Sequence, residues 1–141
     1  MQNDFGVDVA ETTRALERFS NNIRIKVTRT ATRKAARAIE NAMMLMAPRR
    51  SGALLESIRT KTKVDKAGGR AYAVVGPAGK VLSTGSDGVL KKRSQRYKAY
   101  FLEYGTTNMK ALPFIQASKD RSERQVEQVF SREVDKALKK L

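Results

Sequence analysis

Cysteine, histidine and tryptophan are all absent from the 141 residues. Without cysteine there is no disulfide framework and no thiolate nucleophile. Without histidine there is no imidazole base, and the two absences together remove the usual zinc ligands. Proline is scarce at three residues and aromatics make up only 6% of the chain, so a core must come mainly from Ala, Val, Leu, Ile and Met. No run approaches the roughly 18 consecutive apolar residues of a membrane span. The opening stretch MQNDFGVDVAET lacks the basic and apolar regions of a signal peptide, so the expectation is a cytosol-like compartment and no membrane partner. These gaps predict a protein that is not an enzyme, with no catalytic, cofactor-binding or metal-binding residues and no cofactor. The sequence Gly76-Pro77-Ala78-Gly79-Lys80 also lacks the spacing of a phosphate loop.

Positive charge is what the chain has in excess. It carries 29 Lys and Arg against 14 Asp and Glu, a formal net charge of +15. Most of this excess lies before residue 99: residues 1–98 hold 21 basic and 8 acidic side chains, and residues 99–141 hold 8 and 6. Between Arg18 and Leu55 the sole acidic residue is Glu40. Such a one-signed stretch seeks polyanions or an acidic partner, and the excess goes beyond what solubility requires.

Length favours a single domain over 1–141. Asp8 and Glu11 have capping-box spacing. From Leu16, apolar residues recur every three or four positions through Phe19, Ile23, Val27, Ala31, Ala35, Ala38 or Ile39, Ala42 and Met46. This predicts one amphipathic helix over about 9–47, closed by Pro48. So long a helix must bend, break or pack on a neighbouring subunit; Ser20-Asn21-Asn22 and the β-branched cluster Val27 to Thr32 are its weak places.

From Ser57 the period changes to two. Ile58, Thr60, Thr62 and Val64 share one strand face, and Arg59, Lys61 and Lys63 share the other. With Gly68-Gly69 as the turn and AYAVVG as the return strand, a hairpin is predicted over about 57–76. Residues 77–96, with three glycines and no sustained period, read as a long basic loop. Tyr97, Tyr100, Phe101 and Tyr104 then fall at i, i+3, i+4 and i+7, a short aromatic helix over about 97–104 stopped by Gly105. Helical spacing of aromatics suggests core or interface, and where those aromatics face inward Glu103 turns sideways or outward, toward solvent or a subunit partner. A C-terminal helix over about 113–140 begins near Pro113 and carries Ile115, Val126, Val129, Phe130, Val134, Leu138 and Leu141. The fold class expected is α+β, without internal repeats.

Arg59, Lys61 and Lys63 are therefore candidates for touching a phosphate backbone without reading bases. Lys91, Lys92 and Arg93 are candidates for DNA contact or for docking a partner. No helix-turn-helix or zinc-finger spacing supports sequence-specific recognition.

Two further segments carry a family resemblance. Ala47-Pro48-Arg49-Arg50-Ser51-Gly52-Ala53-Leu54, continuing to Ser57-Ile58, resembles a segment of tailed-phage neck and minor tail proteins. Tyr100-Phe101-Leu102-Glu103-Tyr104-Gly105-Thr106, followed by Met109-Lys110-Ala111-Leu112-Pro113-Phe114, resembles two later elements of the same family, in the same order. The likeness spans about residues 35–118, with the hairpin between the two motifs and a longer, more basic 77–96 segment than the pattern has. It implies a non-enzymatic virion protein of the head–tail junction: a neck, tail-completion or head-tail joining protein acting as a ring, commonly sixfold. Its implied partners are other copies of itself, the head connector or a head-closure protein, the tail terminator or tail tube protein, and the double-stranded DNA passing through the lumen. Its implied location is the virion, after assembly in the host cytoplasm. A structural role is implied for Pro48, Gly52, Leu54, Ile58, Phe101, Leu102, Glu103, Tyr104, Gly105, Thr106, Pro113 and Phe114. The alternatives are a tail terminator or head-closure protein of the same junction, or a free non-specific DNA-binding protein.

Overall fold

A computed structural model of the chain describes residues 20–49, 52–65, 67 and 70–140. The elements run α1 (Asn21–Met46), α2 (Ala53–Ser57), β1 (Ile58–Asp65), β2 (Arg70–Pro77), β3 (Lys80–Thr84), β4 (Leu90–Ser94), α3 (Arg96–Tyr104) and α4 (Phe114–Lys139). The class is α+β, with β1 paired to β2 and β3 paired to β4 as two separate two-stranded sheets. The chain divides into two compact units. Unit 1 comprises Met1–Ile39, Thr60–Val74 and Ser122–Leu141, and unit 2 comprises Glu40–Arg59 and Val75–Arg121.

In unit 1 the long helix finds its partner within the chain. Ala31 of α1 and Val134 of α4 are fully buried together, with Val27, Phe130 and Leu138 packed around them. One turn further on, Ala35 and Ala38 bury against Val126, with Ile39, Val129 and Phe130 alongside. Residue numbers rise along α1 as they fall along α4, so the two helices are antiparallel. Alanine on one side and larger apolar residues on the other let the helices interdigitate closely. Lys34 of α1 spans the same pair, donating to Glu133 of α4 at 2.8 Å.

The described helix starts at Asn21, inside the first of the two weak places, and Ser20 supplies the carbonyl that accepts the Arg24 N–H at 3.0 Å. It passes unbroken through Val27 to Thr32, because tertiary packing outweighs the modest β-branched penalty. The expected capping box and residues 9–19 lie outside the described residues. Gly68-Gly69, expected at the turn between β1 and β2, also lies outside them. Just before that turn, the Asp65 carboxylate accepts the Ala67 N–H at 3.1 Å.

Unit 2 buries Met43, Ala47, Ala53, Leu54, Ile58, Ala99 and Phe114. Gly52, at φ 72°, takes the left-handed conformation that opens the single-turn helix α2, and its carbonyl accepts the Glu56 N–H at 3.0 Å. Ser57 closes that helix by donating its hydroxyl to the Leu54 carbonyl at 2.6 Å. One turn of helix has no period to read, so the sequence pattern does not announce α2.

The long loop expected over 77–96 is a second hairpin. Its register pairs Lys80 with Ser94, Val81 with Arg93, Leu82 with Lys92, Ser83 with Lys91, and Thr84 with Leu90. Five-residue strands, one of them largely cationic, hide the two-residue period. The turn is nonetheless well formed: Gly85 and Val89 close it backbone to backbone at 3.2 Å, and Asp87 accepts the Val89 N–H at 3.1 Å.

Candidate functional site

Strand β1 has the alternation its sequence predicts. Arg59, Lys61 and Lys63 are exposed, while Thr60, Thr62 and Val64 are half-buried. The Arg59 guanidinium donates to the neighbouring Ile58 carbonyl at 3.2 Å. Strand β2 alternates as well, with Arg70, Tyr72 and Val74 exposed between half-buried Ala71, Ala73 and Val75. The hairpin thus presents positive charge interleaved with apolar and aromatic area.

The three basic residues of β4 separate into two roles. Lys91 and Lys92 are exposed. Arg93 is a clasp across its own hairpin, donating to the Asp87 carboxylate at 3.1 Å and to the Val89 carbonyl at 3.3 Å. Its charge is partly neutralised there, leaving Lys91 and Lys92 as the stronger candidates for contact with a polyanion.

Helix α3 turns its aromatics outward and Glu103 inward, opposite to the core-facing expectation. Tyr97 is 74% exposed, Tyr100 57%, Phe101 45% and Tyr104 53%, whereas Ala99 and Glu103 are buried. The Tyr100 ring sits 5.0 Å from Tyr104 and 6.0 Å, edge to face, from Phe101. Beside Arg96, Tyr97, Tyr100 and Phe101 line a shallow hollow of about 390 Å³. The reason for this orientation is the carboxylate of Glu103. Its two oxygens accept the N–H groups of Ile115 at 2.9 Å and Gln116 at 3.0 Å, at the start of α4. Those donors have no intrahelical partner, and the helix N-terminus favours negative charge. Pro113, whose carbonyl accepts the Ala117 N–H at 3.1 Å, has no side-chain oxygen with which to cap. Glu103 does so from another element.

The rest of the two later motifs folds around this cap. Gly105, at φ 75°, leaves α3 in a conformation few side chains tolerate, and a Cβ there would come within 2.9 Å of the Ala111 nitrogen and the Met109 carbonyl oxygen. Thr106 and Met109 exchange backbone bonds at 2.9 and 3.3 Å, and the Leu112 N–H reaches the Leu102 carbonyl at 2.6 Å. Leu102 is half-buried and Phe114 buried. In the earlier motif Leu54 and Ile58 are buried, and Pro48, half-buried, follows the end of α1. Of the motif residues, Leu54, Ile58, Glu103 and Phe114 are buried, while Phe101, Tyr104, Thr106 and Pro113 are exposed.

Among the described residues no group of three or more His, Cys, Asp or Glu could hold a metal ion. Among the same residues no helix is long and apolar enough to cross a membrane.

The family model described as "Bacteriophage HK97-gp10, putative tail-component" matches residues 10–105, and the chain belongs to this family. It is thereby a phage tail-related structural component, one that works in the virion in contact with other virion proteins. No curated protein and no solved structure matches the chain.

Proposed function

We propose that this protein is a non-enzymatic neck or tail-completion protein of the head–tail junction. It forms a homo-oligomeric ring, sixfold to match the tail tube, joining the head connector to the tail around the DNA path. The observation that carries this reading is the exposed aromatic face of α3. Four large aromatic side chains left 45–74% exposed on one short helix are a contact surface for protein, since monomers rarely leave such area contiguous. The cationic face of β1 suits contact with DNA, because Arg59, Lys61 and Lys63 offer point charges to phosphates passing at any sequence or rotational setting. Assembly into a ring repeats that charge around a common axis.

A free, non-specific DNA-binding protein is favoured by the net charge of +15 alone. It leaves the aromatic face without a role. Within the junction, tail terminator and head-closure stations share the same physical requirements.

Phage particles assembled with Arg59→Glu, Lys61→Glu and Lys63→Glu together test the proposal. The expected result is a folded protein that enters particles which lose DNA or fail to deliver it. Normal yield with normal DNA content contradicts the assignment of β1 to the DNA path.

A further inference from the structure

The opposite face of β1 lines a feature that the proposed function does not use. In unit 1 an open groove of about 390 Å³ is lined by Arg29 and Arg33 of α1 and by Thr60, Thr62 and Val64 of β1. Arg29 and Arg33 are one helical turn apart, so their side chains project to the same side of α1. Thr60 and Thr62 are two apart on β1, so their side chains share one strand face and both line the groove. Among the described residues no carboxylate lines the groove and neither guanidinium is paired with one.

We infer that this groove is a phosphate-binding site. Two planar guanidinium forks and two hydroxyls supply donors from two elements at once. A planar carboxylate is satisfied by one fork, whereas a tetrahedral phosphate spreads its acceptor oxygens in several directions. Val64 completes the lining of the groove. The phosphate can be a phosphodiester of the duplex backbone or a free phosphate ion, and the chemistry of recognition is the same. Only the duplex source rests on the proposed DNA path.

The test uses the full chain and two probes, inorganic phosphate and a duplex of arbitrary sequence. Two variants are compared with the parent: Arg29→Gln with Arg33→Gln, and Thr60→Val with Thr62→Val. The arginines are exposed and Val keeps the β-branched shape of Thr, so both variants should keep the parent's circular dichroism; Arg29→Lys with Arg33→Lys is the fallback that preserves charge. Inorganic phosphate should shift the amide resonances of Thr60 and Thr62 in the parent, and each double variant should weaken that binding on the order of tenfold. For a backbone source, the arginine variant should also flatten the log–log salt dependence of duplex binding by about 0.9, one phosphate's share, while the uncharged threonine change leaves the slope intact. Loss of phosphate binding with an unchanged duplex slope supports the site and assigns it to free phosphate. Phosphate and duplex binding both indifferent to Arg29 and Arg33 overturn the site, and if duplex binding still depends on Arg59, Lys61 and Lys63, the proposed function survives that failure.

Discussion

The two units are held together by different means. In unit 1, α1 and α4 meet along alanines and larger apolar residues repeating at helical intervals, with the Lys34–Glu133 ion pair across them. In unit 2, much of the cohesion is polar and local: Glu103 caps α4, Gly105 fits under the Met109 carbonyl, and Thr106 pairs with Met109. The aromatic residues of α3, which would ordinarily furnish a core, are instead on the surface. The contrast teaches that unit 1 is organised along one apolar helix–helix seam, whereas unit 2, beside its own buried residues such as Met43, Leu54, Ile58 and Phe114, uses hydrogen bonds to hold the aromatic face of α3 outward.

The largest expected effect breaks the first mode. Ala31 is fully buried between the helices, so Ala31→Leu should overpack the seam and cost about 3 kcal/mol, read as a lower denaturant midpoint. Next, Glu103→Ala leaves two N–H groups of α4 without their acceptor and should cost about 2 kcal/mol. Glu103→Gln, which keeps one carbonyl oxygen, should recover part of that loss, and full stability in the alanine variant would contradict the cap.

A smaller effect depends on pH. The hydrogen bond from Lys34 holds the Glu133 carboxyl below its ordinary value, with the Lys34 charge adding to the effect. A lowered native value means that the pair stabilises the fold at neutral pH and that this contribution is lost as pH falls through the lowered value. Lys34→Met should therefore melt slightly below the parent at pH 7, and the difference should vanish in acid. The smallest effect on stability, and the sharpest on the comparison, belongs to α3. Tyr97→Ser with Tyr100→Ser should leave the thermal midpoint nearly unchanged while abolishing incorporation into particles, because those rings serve contact and not the core. A large fall in midpoint would show them to be structural.

Much of unit 1 is legible in the residues alone, since the apolar recurrence from Val27 to Ile39 and from Val126 to Leu138, and the alternation that runs on through Thr60, Thr62 and Val64, are long enough to show their periods. Unit 2 is less so. Helix α2 and strands β3 and β4 are five residues each, too short and, in β4, too charged to show one. The orientation of α3 is hidden for a deeper reason: aromatic spacing fits core or interface alike, and the deciding interaction is a carboxylate whose donors lie 12 and 13 residues later in the chain. A lone acidic residue two turns into an aromatic helix carries no local mark of such a role. A signal is present in the pairing of Glu103 with Pro113, a helix start without a capping side chain. The six candidate basic residues are visible from charge, but that Arg93 serves its own hairpin follows only from the turn that brings Asp87 beside it. Arg29 and Arg33 belong to a site only because α1 and β1 come together.

The most direct test of the central claim, a ring at the head–tail junction surrounding DNA, is a cryo-EM reconstruction of the neck of intact particles. Copies of this chain should form a closed ring, with the aromatic face of α3 covered by a neighbouring protein and Arg59, Lys61 and Lys63 turned toward the DNA path. A ring with those three side chains on its outer wall and α3 open to solvent would contradict the claim.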